Sequence, residues 1–185
     1  MFHLGIRAII RYPRSMPFNY DTLYKSTPQA LGAPTGIFVD FFERLQHRKQ
    51  SVLDVGCGQG RDALFIARLG HRVVGVDISA HGIKDLTAAA KAERLNIKGI
   101  QADLISFTPD RLFGIILIDR TLHMLSKQNR LSLLRRLLDH VDEQGWVLIA
   151  DEASNIPDFA DEIANHSLQW RTDFANGGYL FIQKQ

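Results

Sequence analysis

A chain of 185 residues with 45% apolar and 23% charged side chains can bury the core of one domain, and its composition excludes disorder. Its formal net charge of +2 is too small to imply a nucleic-acid or membrane partner by itself. The one cysteine, Cys57, excludes an intramolecular disulfide and points to a reducing cytoplasm, and no run approaches the ~18 apolar residues of a membrane span.

At the N-terminus, "MFHLGIRAIIRYPR" spreads Arg7, Arg11 and Arg14 through a short apolar run. A secretory leader has its charge first and a longer apolar block after it, so this stretch reads as an arm. Pro13, Pro17, Pro28 and Pro34, with Gly32 and Gly36, predict a loop with short helical pieces over 12–36. Tyr12, Phe18, Tyr20 and Tyr24 lie in it, so it is either a lid over a site or a loop anchored on the core. Phe38, Phe41, Phe42 and Leu45 then predict a helix from Gly36, running into the basic "HRK". The division expected is an arm or lid over 1–35 and a single domain over 36–185.

From there strands and helices alternate. "SVLDV" reads as a strand and "GRDALFIARLG" as a helix stopped by Gly70. "HRVVGVDI" is a second strand, followed by a helix from Ser79, its N-cap, to Leu95. "IKGIQAD" is a third strand and "FGIILID" a fourth, apolar on both faces as a central parallel strand should be. "SKQNRLSLLRRLLDHV" has the helical spacing Leu131, Leu134, Leu138, Val141 with Ser126 as cap, and "GWVLIAD" is a fifth strand. "IPDFADEIANH" reads as a helix, and "LQWRTDFANGGYLFIQK" as two strands turning at Asn176-Gly177-Gly178. The expected fold is therefore α/β, a Rossmann-like doubly wound, mostly parallel seven-stranded sheet closed by an antiparallel C-terminal hairpin.

Each of the first five strands ends at or beside an aspartate: Asp54, Asp77, Asp103, Asp119 and Asp151. Ligands of such sheets bind beyond the carboxyl ends of the strands, so these carboxylates gather on the binding edge. Aspartate is also a common turn residue, which is the preferred reading for Asp151 alone. An acidic rim suits ribose hydroxyls, an ammonium group or another cationic centre, and does not suit a bare polyphosphate.

The turn after the first strand is Gly56-Cys57-Gly58-Gln59-Gly60. Arg61 stands where a dinucleotide fingerprint needs its third small residue, which argues against a nicotinamide cofactor. "VLDVGCGQG", "VVGVDIS" and "IQAD" with Leu104, in that order and spacing, resemble the successive motifs of class I S-adenosylmethionine-dependent methyltransferases. "GCGQGRDALFIARLGHRVVGVDIS" and "YDTLYKSTPQALGAPTG" resemble more narrowly the small tellurite-resistance and thiopurine-methyltransferase-like members. The resemblance implies S-adenosyl-L-methionine as cofactor and S-adenosyl-L-homocysteine as product. It also implies Gly56, Cys57, Gly58 and Gly60 in the cofactor loop, with the first three under the methionine part, and Asp54 orienting the loop and the amino group. Asp77 would take the ribose diol, Ile78 would pack on adenine, Asp103 and Leu104 would read the adenine edge, and Asp119 would close the site. Where the family often has Phe-Asp before the fourth strand, this chain has Phe113-Gly114.

Methyl transfer needs alignment, exclusion of water and, for some acceptors, removal of a proton. His123 and Asp119 are the candidate catalytic groups. His123 is equally readable as a histidine packed beside Leu122 and Met124 or simply solvated. Tyr20, Tyr24 and His123 are the candidate acceptor contacts. Cys57, flanked by glycines, reads as a small packing residue, Arg135 and Arg136 as a solvated helix face, and the seven histidines show no metal-ligand spacing. The expected acceptor is a small molecule. The alternatives are a nucleic-acid or protein methyltransferase and a non-catalytic cofactor-binding partner subunit.

Overall fold

A computed structural model of the chain describes residues 19–45 and 48–185. The arm readings on Arg7, Arg11, Arg14, Tyr12 and Phe18 lie outside the described residues. Seven strands form one sheet in the order β3-β2-β1-β4-β5-β7-β6. They are β1 Ser51–Val55, β2 Arg72–Asp77, β3 Ile97–Gln101, β4 Phe113–Asp119, β5 Val141–Ala150, β6 Trp170–Asn176 and β7 Tyr179–Lys184. β7 runs antiparallel to both β5 and β6, and all other pairs are parallel. The strand order reverses between β1 and β4, so the crevice for a ligand opens beyond their carboxyl ends.

Six helices accompany the sheet: α1 Tyr20–Ser26, α2 Gly36–Arg44, α3 Arg61–Arg68, α4 Ala80–Glu93, α5 Lys127–Leu138 and α6 Ile156–Ala164. The period-2 alternation of β4 divides the core. Ile116 and Ile118 pack with α5 and α6 residues such as Leu133, Leu137 and Phe159, while Ile115 and Leu117 pack with Phe38, Phe42, Ile66 and Leu86. In β1, Leu53 and Val55 face the first cluster and Val52 the second. Asp54 shares the side of Val52, and so points toward α3.

Strand β5 begins at Val141 and not at Gly145, with Gln144 in the left-handed region at φ 59°. Val141 therefore belongs to β5. The buried face of α5 is Leu133, Leu134, Leu137 and Leu138, one step round from the expected stripe. Arg136 also departs from expectation. It is half-buried, and its guanidinium donates to the carbonyls of Leu104 (3.0 Å), Ile105 (2.9 Å) and Phe107 (2.7 Å). That clamp fixes the loop between β3 and β4, which forms one wall of the site. Arg136→Ala is expected to lower unfolding stability by about 2 kcal/mol. Hydrogen exchange should accelerate at residues 103–107 while α3 stays protected; uniform exchange across the two would argue against a local clamp.

Candidate active site

The strand register sets the carboxylates. Val55 pairs with Val76 on one side and Ile118 on the other, so Asp77 and Asp119 each stand one step beyond the end of β1. Between them the glycine turn is pinned to β2, because the Gly56 and Cys57 amides donate to the Val76 carbonyl at 2.8 and 3.1 Å. The Gly58 amide donates to Asp77 Oδ2 at 2.9 Å, and the Ser79 amide to Asp77 Oδ1 at 2.7 Å. Asp77, rather than the expected Asp54, is therefore the carboxylate that orients the loop. Gly56 has φ 77°, and any Cβ there would run into the Thr121 side chain, so the turn requires glycine at this close approach.

A cavity of about 710 Å³ opens beyond these strand ends, within the usual size range for a small-molecule site. Its walls include Asp54, Gly56, Cys57, Asp77, Ile78, Asp103, Leu104 and Asp119, with Tyr20, Tyr24 and His123 from the segments above. Gly58 and Gly60 are not among them. A Cβ on Gly58 would stand 2.5 Å from the Tyr24 hydroxyl, because that ring covers it. Gly60 faces Leu86 and starts α3 in the left-handed conformation, at φ 87°. Ile78 is 66% exposed at the edge of the cavity. Asp103, also exposed, accepts the Ile105 amide at 2.9 Å. Burial holds the Cys57 thiol well above its ordinary pKa, with the carboxylates of Asp54 and Asp77 adding to the rise, which fits a packing residue and not a nucleophile.

The electrostatic centre is a cluster that local sequence reading missed. Arg61, whose bulk is awkward at a helix–strand contact, instead turns its side chain into the cavity. It binds Asp62 through Nε (3.0 Å) and a terminal nitrogen (2.7 Å), and forms an ion pair with Asp119. Thr35, just before α2, donates to the same Asp119 oxygen at 2.6 Å. The Arg61 guanidinium thus pairs with two buried acids, Asp62 and Asp119, with Asp54 nearby, and Arg120 Nε approaches Asp119 Oδ1 at 4.0 Å. Asp54 Oδ2, Asp62 Oδ1 and Asp119 Oδ1 are buried with no hydrogen-bond partner among the protein's atoms. Burial, with the repulsion of Asp62 and Asp119, pushes the Asp54 pKa well above the carboxylate range, and burial raises Asp62 and Asp77 too. An excess of buried, under-satisfied acid beside an open cavity suits a cationic ligand.

Gln59 was missed as well. Its side-chain oxygen accepts the Ala30 amide (2.9 Å), and its nitrogen donates to the Thr27 carbonyl (3.1 Å) and to Asp85 (2.7 Å). The glycine loop is thereby laced to the segment after α1. Just beyond β5, Asp151 is more than a turn residue. Its side chain is fully buried and accepts the His123 amide at 3.0 Å. Among the described residues no cluster of His, Cys, Asp and Glu could hold a metal ion, and no helix is long and apolar enough to cross a membrane.

Comparison with known proteins agrees with this architecture. Residues 52–145, just over half the chain, match the family described as a methyltransferase domain. A probable S-adenosyl-L-methionine-dependent methyltransferase, TehB of Haemophilus influenzae, is 29% identical over 98 residues, which is 53% of this chain and 34% of that protein. A cypemycin N-terminal methyltransferase of Streptomyces is 29% identical over 98 residues, 52% of this chain and 39% of its own length. The chain thus spans well under half the length of these relatives. Among solved structures, TehB of Haemophilus influenzae superposes with a TM-score of 0.68 at 19% identity, covering 83% of this chain and 62% of that one. A magnesium protoporphyrin IX methyltransferase of Synechocystis with bound cofactor gives 0.68 at 14% identity, covering 90% and 80%. Matched motif, sheet order and acidic strand ends coincide: the chain belongs to the methyltransferase-domain family, within the class I S-adenosylmethionine-dependent methyltransferases.

Proposed function

We propose that this protein transfers a methyl group from S-adenosylmethionine to a small-molecule acceptor. The observation that carries the reading is the set of buried oxygens on Asp54, Asp62 and Asp119 that accept no hydrogen bond from the protein, beside Arg61. The α-ammonium of the cofactor would donate to them, its sulfonium would complement their charge, and its carboxylate has Arg61 to meet. Asp77 would hold the ribose hydroxyls, Ile78 the adenine face, and Asp103 with Leu104 the adenine edge. Gly56 and Cys57 would lie under the methionine part. When bound, the cofactor supplies a methyl carbon on a sulfonium, already activated for in-line displacement. The chain's own tasks are to orient the nucleophile and keep water out.

Tyr20, Tyr24 and the rest of the described segment before α2, residues 19–35, act as the lid over this site, and residues 36–185 as the catalytic domain. What supports a lid is its fastening. Asp21 accepts the Ser79 hydroxyl (2.7 Å) and the His81 amide (3.0 Å), and its other oxygen is 2.8 Å from His81 Nδ1. These bonds hold the Asp21 carboxyl down at about 2. The short connections after β4 and β5, residues 120–126 and 151–155, favour a small acceptor over a polymer.

Calorimetry is expected to detect binding of S-adenosylmethionine and S-adenosylhomocysteine, and none of NAD(H); the reverse pattern would overturn the reading. Product mass after incubation with a panel of small thiols, phenols, amines and carboxylates should show a gain of one methyl on one class. Methylation of RNA or protein with none of the panel modified would instead move the acceptor to a macromolecule.

A further inference from the structure

The segment that follows Asp119 is built to hold one imidazole still. Beyond β4, Arg120 takes a left-handed φ of 53° and its amide donates to the Ala150 carbonyl at 2.7 Å. Thr121 Oγ1 donates to the Val55 carbonyl at 3.1 Å, Leu122 is fully buried, and the His123 amide donates to Asp151 Oδ2 at 3.0 Å. Four consecutive residues are thus anchored, and the fourth carries the ring. Asp151 is itself overdetermined: besides His123 it accepts the Glu152 amide (2.8 Å) and Asn155 Nδ2 (2.7 Å), both on Oδ1. Burial pushes its pKa up, but these donors and His123 outweigh burial and leave it below the ordinary value. The carboxylate stays ionised.

His123 Nδ1 lies 3.8 Å from Asp151 Oδ2 and is buried with no hydrogen-bond partner among the protein's atoms. The side chain is 29% exposed and lines the cavity. A buried ring nitrogen facing an anion carries the proton, because a lone pair there would be repelled. Nε2 is then the unprotonated nitrogen, available as an acceptor.

We propose that His123 is the proton acceptor of this site, that Asp151 is its positioning residue, and that the substrate class is a small apolar-bodied phenol or enol. The proposal rests on the methyltransferase reading. The apolar body follows from surface composition. Of the five large apolar side chains exposed among the described residues, four line this cavity; with Ile78 given to adenine, Leu31, Ile105 and Met124 remain as an apolar contact surface. The hydroxyl follows from the base: a thiol ionises unaided and a neutral amine attacks without one, whereas a phenol or enol must give up its proton. The groups facing His123 are Asp151, Glu152 and Arg120. Asp151 and Glu152 raise its proton affinity, and the cation of Arg120 lowers it. In the reaction Nε2 takes the O–H proton and the oxygen pair forms the bond to the methyl carbon. The carbon–sulfur bond breaks with its pair returning to sulfur, and the imidazolium later releases its proton to water.

The test begins on the cofactor-free protein. Imidazole NMR titration, with the His123→Gln variant assigning the signal, is expected to place His123 above 6.5. Asp151→Asn should lower its proton affinity about tenfold. A wild-type His123 at or below the ordinary imidazole value overturns the pairing even if Asp151→Asn does not fold, and so does a value unmoved in a folded variant. The acceptor class is read with 4-nitrophenol and 4-nitrobenzylamine in the presence of S-adenosylhomocysteine. Bound 4-nitrophenol should ionise at least tenfold more readily than free, and lose that shift in His123→Gln. Absent or unshifted binding, or tighter binding of the amine, overturns the class. If S-adenosylhomocysteine itself does not bind, the cofactor reading fails, and the titration of His123 still decides the dyad.

Discussion

Asp77→Ala is expected to weaken S-adenosylhomocysteine binding by about 3–6 kcal/mol, roughly two to four powers of ten in Kd. The carboxylate at the end of β2 accepts one backbone amide on each oxygen, from Gly58 and Ser79. An ionised carboxylate offers about four lone-pair sites, so two remain for a diol. Alanine removes both functions together. The freed Gly58 and Ser79 amides should also cost about 2–4 kcal/mol of stability, seen in chemical denaturation. Asp77→Asn separates the roles: its single oxygen can keep one amide, while its NH₂ opposes the other. Its affinity should fall between wild type and alanine. Unchanged affinity in a folded Asp77→Ala protein would remove Asp77 from the ligand.

The framework of this site was legible because it is periodic. Strand ends are marked by where apolar runs stop, and a parallel sheet brings such ends to one edge. Asp54, Asp77, Asp103 and Asp119 could therefore be placed together without knowing any contact. The assignment of tasks within the edge was less legible. Asp77 and Asp54 look alike in sequence, yet only Asp77 meets the loop amides, since Asp54 shares the Val52 face and turns toward α3.

What the sequence hid depends on contacts between distant segments. The Thr35–Asp119 bond spans 84 positions, and no local pattern reports it. Arg61 and Asp62 carried a signal in their position alone. At the first two positions of a helix that starts on the glycine loop they must lie beside the β1 end. An arginine excluded from the helix–strand contact has the cavity as its remaining direction. Arg136 shows the converse limit. Period alone puts it on the solvated face of α5, but the loop after β3 covers that face and presents three carbonyls to it. Asp151, readable as a turn residue, became a functional candidate only through its burial and its approach to His123.

Asp54→Asn should show opposite signs in stability and in binding. A carboxyl whose pKa is raised on folding holds its proton more tightly folded than unfolded. Its favourable contribution is complete below the unfolded value, about 3.9, and is lost as pH rises through the folded pKa. Burial and the neighbouring Asp62 and Asp119 raise Asp54 in this sense, so at neutral pH it opposes folding. The near-isosteric amide removes that opposition. The ligand-free variant should gain about 1–2 kcal/mol, roughly 2–8 °C in Tm. The same change removes a buried anion from the cation receptor and should weaken S-adenosylmethionine about 10- to 150-fold, the range for one charged hydrogen bond. A bound cation pulls the Asp54 pKa back down, so wild-type binding should release protons and tighten as pH rises above the ordinary carboxylate range. Calorimetry in buffers of different ionisation enthalpy measures that release directly, and it should shrink in Asp54→Asn. A wild-type heat independent of buffer, or an Asp54→Asn protein less stable than wild type, would mean that Asp54 is satisfied within the fold and is not held in reserve for a cation.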